Sequence, residues 1–395
     1  MASFRSFPLI LAAAVVSRLV YPRLEVLFTF YNDAPSRLPQ VNTFKRHEIK
    51  FADRVRSCED ALILESRGVA ILACDPGRER WNTVLGIFHP DPASAGLYVY
   101  DYRDASQPEA ESLKTVELVG FPGRADFHTL GLAYDEATST LFAASHAQAG
   151  SRIERFKLDV DRLVATHTGT IQHPLIHAPN SIAIVSPDEL YVTNDHHFLA
   201  RNTKLLAKAE TFLALPLGSV VHVKLLDGDR TPQVGDVRIV ERLSFPNGIE
   251  LLNDTTLAVA STTRRAIYLY EIQRDRSLEP RSTIHLPYLP DNLSVHGGKL
   301  LVAGHPHFPS LAKFSESRHV CNYPEVLGAA GADKREYCES GLAPSWAGEW
   351  SERAGLRILY VGTEYPTSAT AARDARRGVG IITGLYAKGI LVWRD

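Results

Sequence analysis

No long basic block runs through this 395-residue chain, and its charges sum to a formal −2. That balance argues against nucleic acid as a partner. Past the first 20 residues, no apolar run approaches the length of about 20 that a bilayer span requires. One short apolar stretch, Phe7 to Val16, lies between Arg5 and Arg18. Its length suits a secretory signal, but no small-x-small cleavage site follows, so an uncleaved anchor or an apolar arm stays open. Residues 1–20 are therefore read as signal peptide or anchor, and residues 21–395 as one domain in a secreted or endomembrane-lumen protein. The G-x-S-x-G elbow, the H-E-x-x-H zinc helix and the P-loop are all missing, which removes the serine-hydrolase, zincin and nucleotide-hydrolase readings those motifs carry. "GVGIITG" has the wrong glycine spacing for a dinucleotide fingerprint. His196 and His197 are neighbours in an extended segment and face opposite ways, so they make no joint metal site.

Cysteine is scarce, at four residues. In an oxidising compartment the spacing suggests two local bridges, Cys58 with Cys74 across a hairpin and Cys321 with Cys338 across a polar loop. "NDT" at Asn253 is a glycosylation sequon in a turn, and "NLS" at Asn292 is a second one.

What the chain does contain is a repeated pair of strands. "EDALIL" is followed by "GVAILACD", "LGLAYD" by "TLFAASH", "NSIAIVS" by "ELYVTND", "NGIELL" by "TLAVAST" and "DNLSV" by "KLLVAGH". An alternating third strand often trails the pair, as in "GLYVYDY", "RIERFKLD", "VVHVKL" and "IYLYEI". Recurring units of this kind read as propeller blades, with "RILYVGTE" and "GIITGLYAKGILVW" supplying the last blade and its closure. Helix is poorly supported, and only "SATAARDARRG" has a helical composition. The innermost strand of each blade points its start at one end of the central channel. Glu59, Asn180, Asn247, Asp291 and Asn292 then converge there as hard oxygen donors, a set that suits Ca²⁺. No cysteine or histidine shares these positions, which disfavours zinc and copper.

At these residues the sequence resembles the serum paraoxonase/arylesterase family of six-bladed calcium β-propellers. The matching segments are "SCEDALIL", "FHTLGLAYD", "NSIAIVSPDELYVTNDHHF", "SFPNGIELL", "PDNLSV" and "AGHPHF", in family order from about Leu38 onward. The chain looks like a diverged, microbial or fungal member. The resemblance implies that Glu59, Asn180, Asn247, Asp291 and Asn292 match the ligands of a catalytic calcium. A buried ligand role for Asn292 would leave its sequon unused. Asp60 matches a ligand of a second, structural calcium. That site looks weaker, because a family aspartate falls on Ser181, although the carbonyl at Leu132 can come from any residue.

Of two family histidines proposed to activate water, one falls on His146 and the other on Leu130. His128, two residues upstream of Leu130, could share its face in an extended strand. Either His128, His146 or Asp291 then activates water, or the chemistry has changed, since leucine takes no proton. His305 matches a pocket histidine. A family disulfide that closes the propeller is replaced by Val41 and Val392, so closure is expected to rest on strand pairing and apolar contact. The reading that results is a Ca²⁺-dependent lactonase or arylesterase acting on a small hydrophobic ester. A non-hydrolytic isomerase or cyclase and a non-catalytic binder are the alternatives. The N-terminus, and the segment "HHFLARNTKLLAKAETFLALPLG", could touch a membrane or lipid; that segment could equally be a lid or an ordinary exposed loop.

Overall fold

The computed structural model describes Ser17 and residues 31–226 and 233–395; the expected signal or anchor segment lies outside them apart from Ser17. Six antiparallel sheets radiate from a common axis. Their innermost strands are Arg56–Leu64, Thr129–Asp135, Pro179–Ser186, Pro246–Asn253, Leu289–His296 and Ser368–Asp374. Each packs beside the next, and the sixth returns to the first, so the ring is closed. This is an all-β, six-bladed propeller. The apolar residues of neighbouring blades interlock as wedges: Ile71, Leu97 and Val99 of the first blade, for example, share a cluster with Leu132, Leu141 and Phe156 of the second.

All five strand pairs read from the sequence are present. The sixth inner strand is the exception, because "SATAARDARRG" forms strand Ser368–Asp374 and not a helix. Ala369, Ala371 and Ala372 are fully or almost fully buried against the neighbouring inner strands. Small side chains suit that crowded axis, and tertiary packing overrides a composition that would favour helix in isolation.

The chain's early strand Arg46–Lys50 supplies the outer edge of the sixth blade, pairing antiparallel with Ile390–Arg394. Val392 lies opposite Glu48, whereas Val41 lies opposite Val361 at the edge of the fifth blade. Between them Phe44 stacks on Trp393 at 4.6 Å and on Tyr360 at 6.0 Å. Strand pairing and apolar contact thus make the closure, as expected from the valines at these positions. Val379–Lys388 also pairs with Arg56–Leu64 and joins the last blade to the first.

Every inner strand slips register close to its start: between Cys58 and Asp60, Thr129 and Leu132, Pro179 and Ile182, Pro246 and Ile249, Pro290 and Leu293, and Ser368 and Ala371. Such irregularities break the strict in–out alternation of a strand and re-aim its side chains. Consecutive residues there need not face opposite ways.

Helices emerge where the sequence showed only loops. Ala200–Leu213 follows the second strand of the third blade, and Phe308–Cys321, Pro324–Gly328 and Ala332–Ser340 follow that of the fifth. Second strands run antiparallel to the inner ones, so these helices stand over the end of the channel where the inner strands begin. Phe212 meets Phe308 edge-on at 5.7 Å, joining the two insertions. Both expected disulfides are formed, Cys58–Cys74 across the first hairpin and Cys321–Cys338 between helices, not across a loop. Among the described residues no helix is long and apolar enough to cross a membrane.

Candidate active site

A cavity of about 640 Å³ sits at this helical end of the channel. Its floor carries Glu59, Asn180, Asn247 and Asp291, together with Arg78 and His305. Its walls are apolar, formed by Val84, Leu85, Leu130, Phe245, Phe308 and Leu311 among others. The segment after His196 provides Thr211, Phe212 and Leu213 to this wall, so it is a lid-like helix and not a plain loop. Leu205, on the same helix, is 80% exposed.

The floor residues are buried, yet several of their oxygens are unsatisfied. Asn180 Oδ1, Asn247 Oδ1 and Asn292 Oδ1 have no hydrogen-bond partner among the described residues. For Asn180 and Asn247 the amide orientation follows from the donor side. Asn180 Nδ2 donates to Asp195 Oδ2 at 3.4 Å, and Asn247 Nδ2 donates to Thr262 Oγ1 at 3.1 Å. Thr262 in turn donates to the carbonyl of Pro290 at 2.7 Å, next to Asp291. Buried oxygens are rarely left without partners, because each costs on the order of 1–3 kcal/mol. Two of these, on Asn180 and Asn247, belong to residues of the cavity floor beside Glu59 and Asp291, a set that suits a cation.

The carboxylates agree with that reading. Glu59 Oε2 lies 2.5 Å from Arg78 Nη2, an ion contact without hydrogen-bond alignment. Burial nevertheless pushes the Glu59 carboxyl up to about 8 against the pull of Arg78, with the nearby Asp291 and Asp60 carboxylates adding to the rise. The floor sets two carboxyl groups, Glu59 and Asp291, against the single guanidinium of Arg78. Among the described residues no three His, Cys, Asp or Glu side chains cluster as a metal site. The donors here are mostly amides, the ligand type of a hard cation. Glu59, Asn180, Asn247 and Asp291 on the floor are the donor types that suit calcium, and Asn292 is buried next in sequence to Asp291.

The residues expected at a second calcium do not fit one. Asp60 Oδ1 accepts from Ala61 N at 2.8 Å and from Thr370 Oγ1 at 3.0 Å, while Oδ2 accepts from Leu132 N at 2.7 Å. Leu132 thus approaches Asp60 with a donor, and Ser181 adds only a neutral hydroxyl. Protein donors satisfy this carboxylate in place of an ion.

Neither expected histidine base lines the cavity. His146 is buried beside it, with Nε2 donating to the carbonyl of Pro179 at 3.0 Å and Nδ1 engaged by Thr83 Oγ1. Burial pushes its pKa down to about 4. His128 is buried against Asp75, with Nδ1 3.2 Å from Oδ2. The slip between Thr129 and Leu132 explains the miss, since it breaks the alternation that would have put His128 on the same face as Leu130. Leu130 itself lines the cavity. The histidine that does so is His305, whose Nε2 lies 3.1 Å from Asp291 Oδ2. Its buried Nδ1 has no partner among the described residues.

His146 gives a pH prediction. Its folded pKa is depressed, so the neutral form is favoured on folding and the unfolded chain binds the extra proton. Its stability contribution is complete above about 6.5 and is lost as the pH falls from there towards 4. The loss is on the order of 3 kcal/mol. Urea midpoints for the protein and for His146→Gln, measured at pH 7 and pH 4.5, should show a smaller acid loss in the variant. Equal losses would contradict this assignment.

The sequence missed Arg78, Asp195, Thr262 and Thr370. Only Asp195 had a signal, inside "TNDHHF". Asn253 lies at the turn of the fourth blade, where its Oδ1 accepts from Thr255 N and Oγ1 at 3.0 Å. Asn292 is buried, so its sequon is out of reach of glycosylation.

A family model described as Arylesterase matches residues 84–333. Mouse (Mus musculus) serum paraoxonase/arylesterase 1 is 27% identical over 230 residues, covering 56% of this chain and 61% of that protein. Rabbit (Oryctolagus cuniculus) serum paraoxonase/lactonase 3 is 30% identical over 182 residues, covering 45% of this chain and 48% of that protein. The chain thus matches only about half to three-fifths of the length of these relatives. A solved gluconolactonase from Xanthomonas campestris superposes with a TM-score of 0.51 at 15% identity, covering 90% of this chain and 93% of its own, a likeness of fold.

Proposed function

From the premise that this chain belongs to the arylesterase family, we propose that it is a calcium-dependent hydrolase of small hydrophobic esters or lactones. The observation that carries this reading is the set of buried amide oxygens, without partners among the described residues, that meet Glu59 and Asp291 on one cavity floor. Glu59, Asn180, Asn247, Asp291 and Asn292 would hold the ion, which supplies Lewis-acid polarisation of the substrate carbonyl when bound.

The chain's own groups do the rest. Leu130, Phe245, Phe308 and Leu311 bind the apolar part of the ester and keep bulk water from the floor. Asp291 and His305 are the titratable pair within reach of a water on that floor. As water attacks the carbonyl carbon its proton passes to the Asp291 carboxylate or to His305 Nδ1, and from there to the alcohol oxygen as the ester C–O bond breaks; the Nε2–H of His305 holds Asp291 Oδ2 in place. His128 and His146 act as buried packing and hydrogen-bonding groups. The two disulfides and the serum proteins among the relatives support a secreted protein.

Purified protein with calcium is expected to hydrolyse members of a lactone and phenyl-ester panel between pH 6 and 9. Chelation should lower the rate by about 10²-fold or more, and elemental analysis should find one calcium per chain. A panel left untouched, or a chelated enzyme at full rate, would sink the proposal; two ions per chain would restore the site at Asp60.

Leu130 favours a second reading. An apolar residue faces the floor where a base would otherwise stand, which suits an isomerase or cyclase working on a hydrophobic metabolite. Turnover in ¹⁸O-water separates the two, since hydrolysis places the label in the acid product and isomerisation leaves it out.

A further inference from the structure

A guanidinium is out of place on a floor built from oxygen donors. Arg78 sits in the short turn Pro76–Glu79 of the first blade and reaches into the cavity with its side chain only 4% exposed. Its Nη2 is shared between Glu59 Oε2, at 2.5 Å, and the carbonyl of Thr129. Its Nε is buried without a hydrogen-bond partner among the described residues. The guanidinium is therefore gripped at one nitrogen and unsatisfied at another, an arrangement that serves Glu59 better than it serves Arg78.

We infer that Arg78 is a built-in substitute for the metal: its guanidinium holds the Glu59 carboxylate when calcium is absent and yields Glu59 Oε2 when calcium binds. The inference rests on the calcium site proposed above. Two consequences follow from electrostatics. A buried anion left without a counter-charge is strongly destabilising, so Arg78 lets the propeller stand without its ion. The same positive charge repels an incoming divalent cation at short range and in low dielectric, so it weakens calcium binding. The fold thus exchanges metal affinity for tolerance of metal loss.

Calorimetric titration of calcium and thermal melts with and without chelator test this in full-length protein. Arg78→Met is expected to bind calcium about tenfold more tightly or better. It should melt well below the parent in chelator, so that its gain in Tm on adding calcium is at least twice the parent's. Arg78→Lys, which keeps the charge, should stay within about threefold of the parent's affinity.

If Arg78→Met does not fold, Arg78→Gln, which keeps a donor for Thr129 and loses only the charge, is read in the same way. Failure of both to fold even in saturating calcium would overturn the inference, because a substitute for the metal is dispensable once the metal is bound. Unchanged affinity in the uncharged variants, with ester hydrolysis intact, would overturn it and leave the proposed function standing. Calcium binding by neither parent nor variant would sink both.

Discussion

Asp291→Asn is expected to lower kcat/KM for any ester the protein hydrolyses by about 10²- to 10⁴-fold, the range for losing a general base or a preorganised charge at the reacting centre. Asparagine matches the volume of aspartate and keeps one oxygen, so the inner strand and the cavity should survive. What disappears is the negative charge that would bind the ion, the proton-accepting carboxylate, and the charge on the acceptor that orients His305 at 3.1 Å. The three losses fall on one residue, so the effect should exceed that of any single amide ligand. Steady-state kinetics over a calcium titration would check it. If saturating calcium returns the variant to within threefold of the parent, Asp291 serves only to bind metal, and the proton must go elsewhere on the floor.

Gly248→Val should cost about 3 kcal/mol or more of stability through overpacking and take the site with it. A Cβ at Gly248 would lie 2.6 Å from Leu293 N, 2.7 Å from Asn292 Cα and 2.8 Å from Asp291 O. All three are backbone atoms of the next inner strand and cannot rotate away. Any side chain there drives the fourth inner strand off the fifth, and with it the Asn247 amide away from Asp291 and Asn292. Urea midpoints in excess calcium give the stability, and calcium titration gives the site. Gly328→Ala, where an added Cβ meets nothing within 4 Å, is the matched control and should stay within about 0.5 kcal/mol of the parent. A Gly248→Val protein as stable as that control would mean that the inner strands are not in the contact described.

The blades could be read from the chain because each repeats the same order, a polar start, an apolar inner strand, a turn and a second strand. Glu59, Asn180, Asn247 and Asp291, which line the cavity, were legible as strand-start residues for the same reason: they recur at one place in that order. The sixth inner strand was not, since alanines and arginines carry no strand signal and only burial at the axis makes Ser368–Asp374 extended. Side-chain direction near the strand starts was also hidden. Period-two reasoning pairs His128 with Leu130, and a register slip at that point separates them. Arg78 reaches the floor from a connecting turn whose sequence, "DPGRER", looks like ordinary surface. Its role depends on contacts with Glu59 and Thr129, which no local pattern announces.

The pairing of Arg46–Lys50 with Ile390–Arg394 bears on how the protein is made. Arg46–Lys50 has no partner until Ile390–Arg394 has been synthesised, so the circle stays open until then, however many blades have already formed. Until that strand is made, nascent chains would carry Arg46–Lys50 unpaired, the kind of edge that invites pairing with another chain. A deletion of Ile390–Arg394 alone would leave five blades nearly intact and still strand that edge, which makes this one strand a checkpoint for the whole molecule.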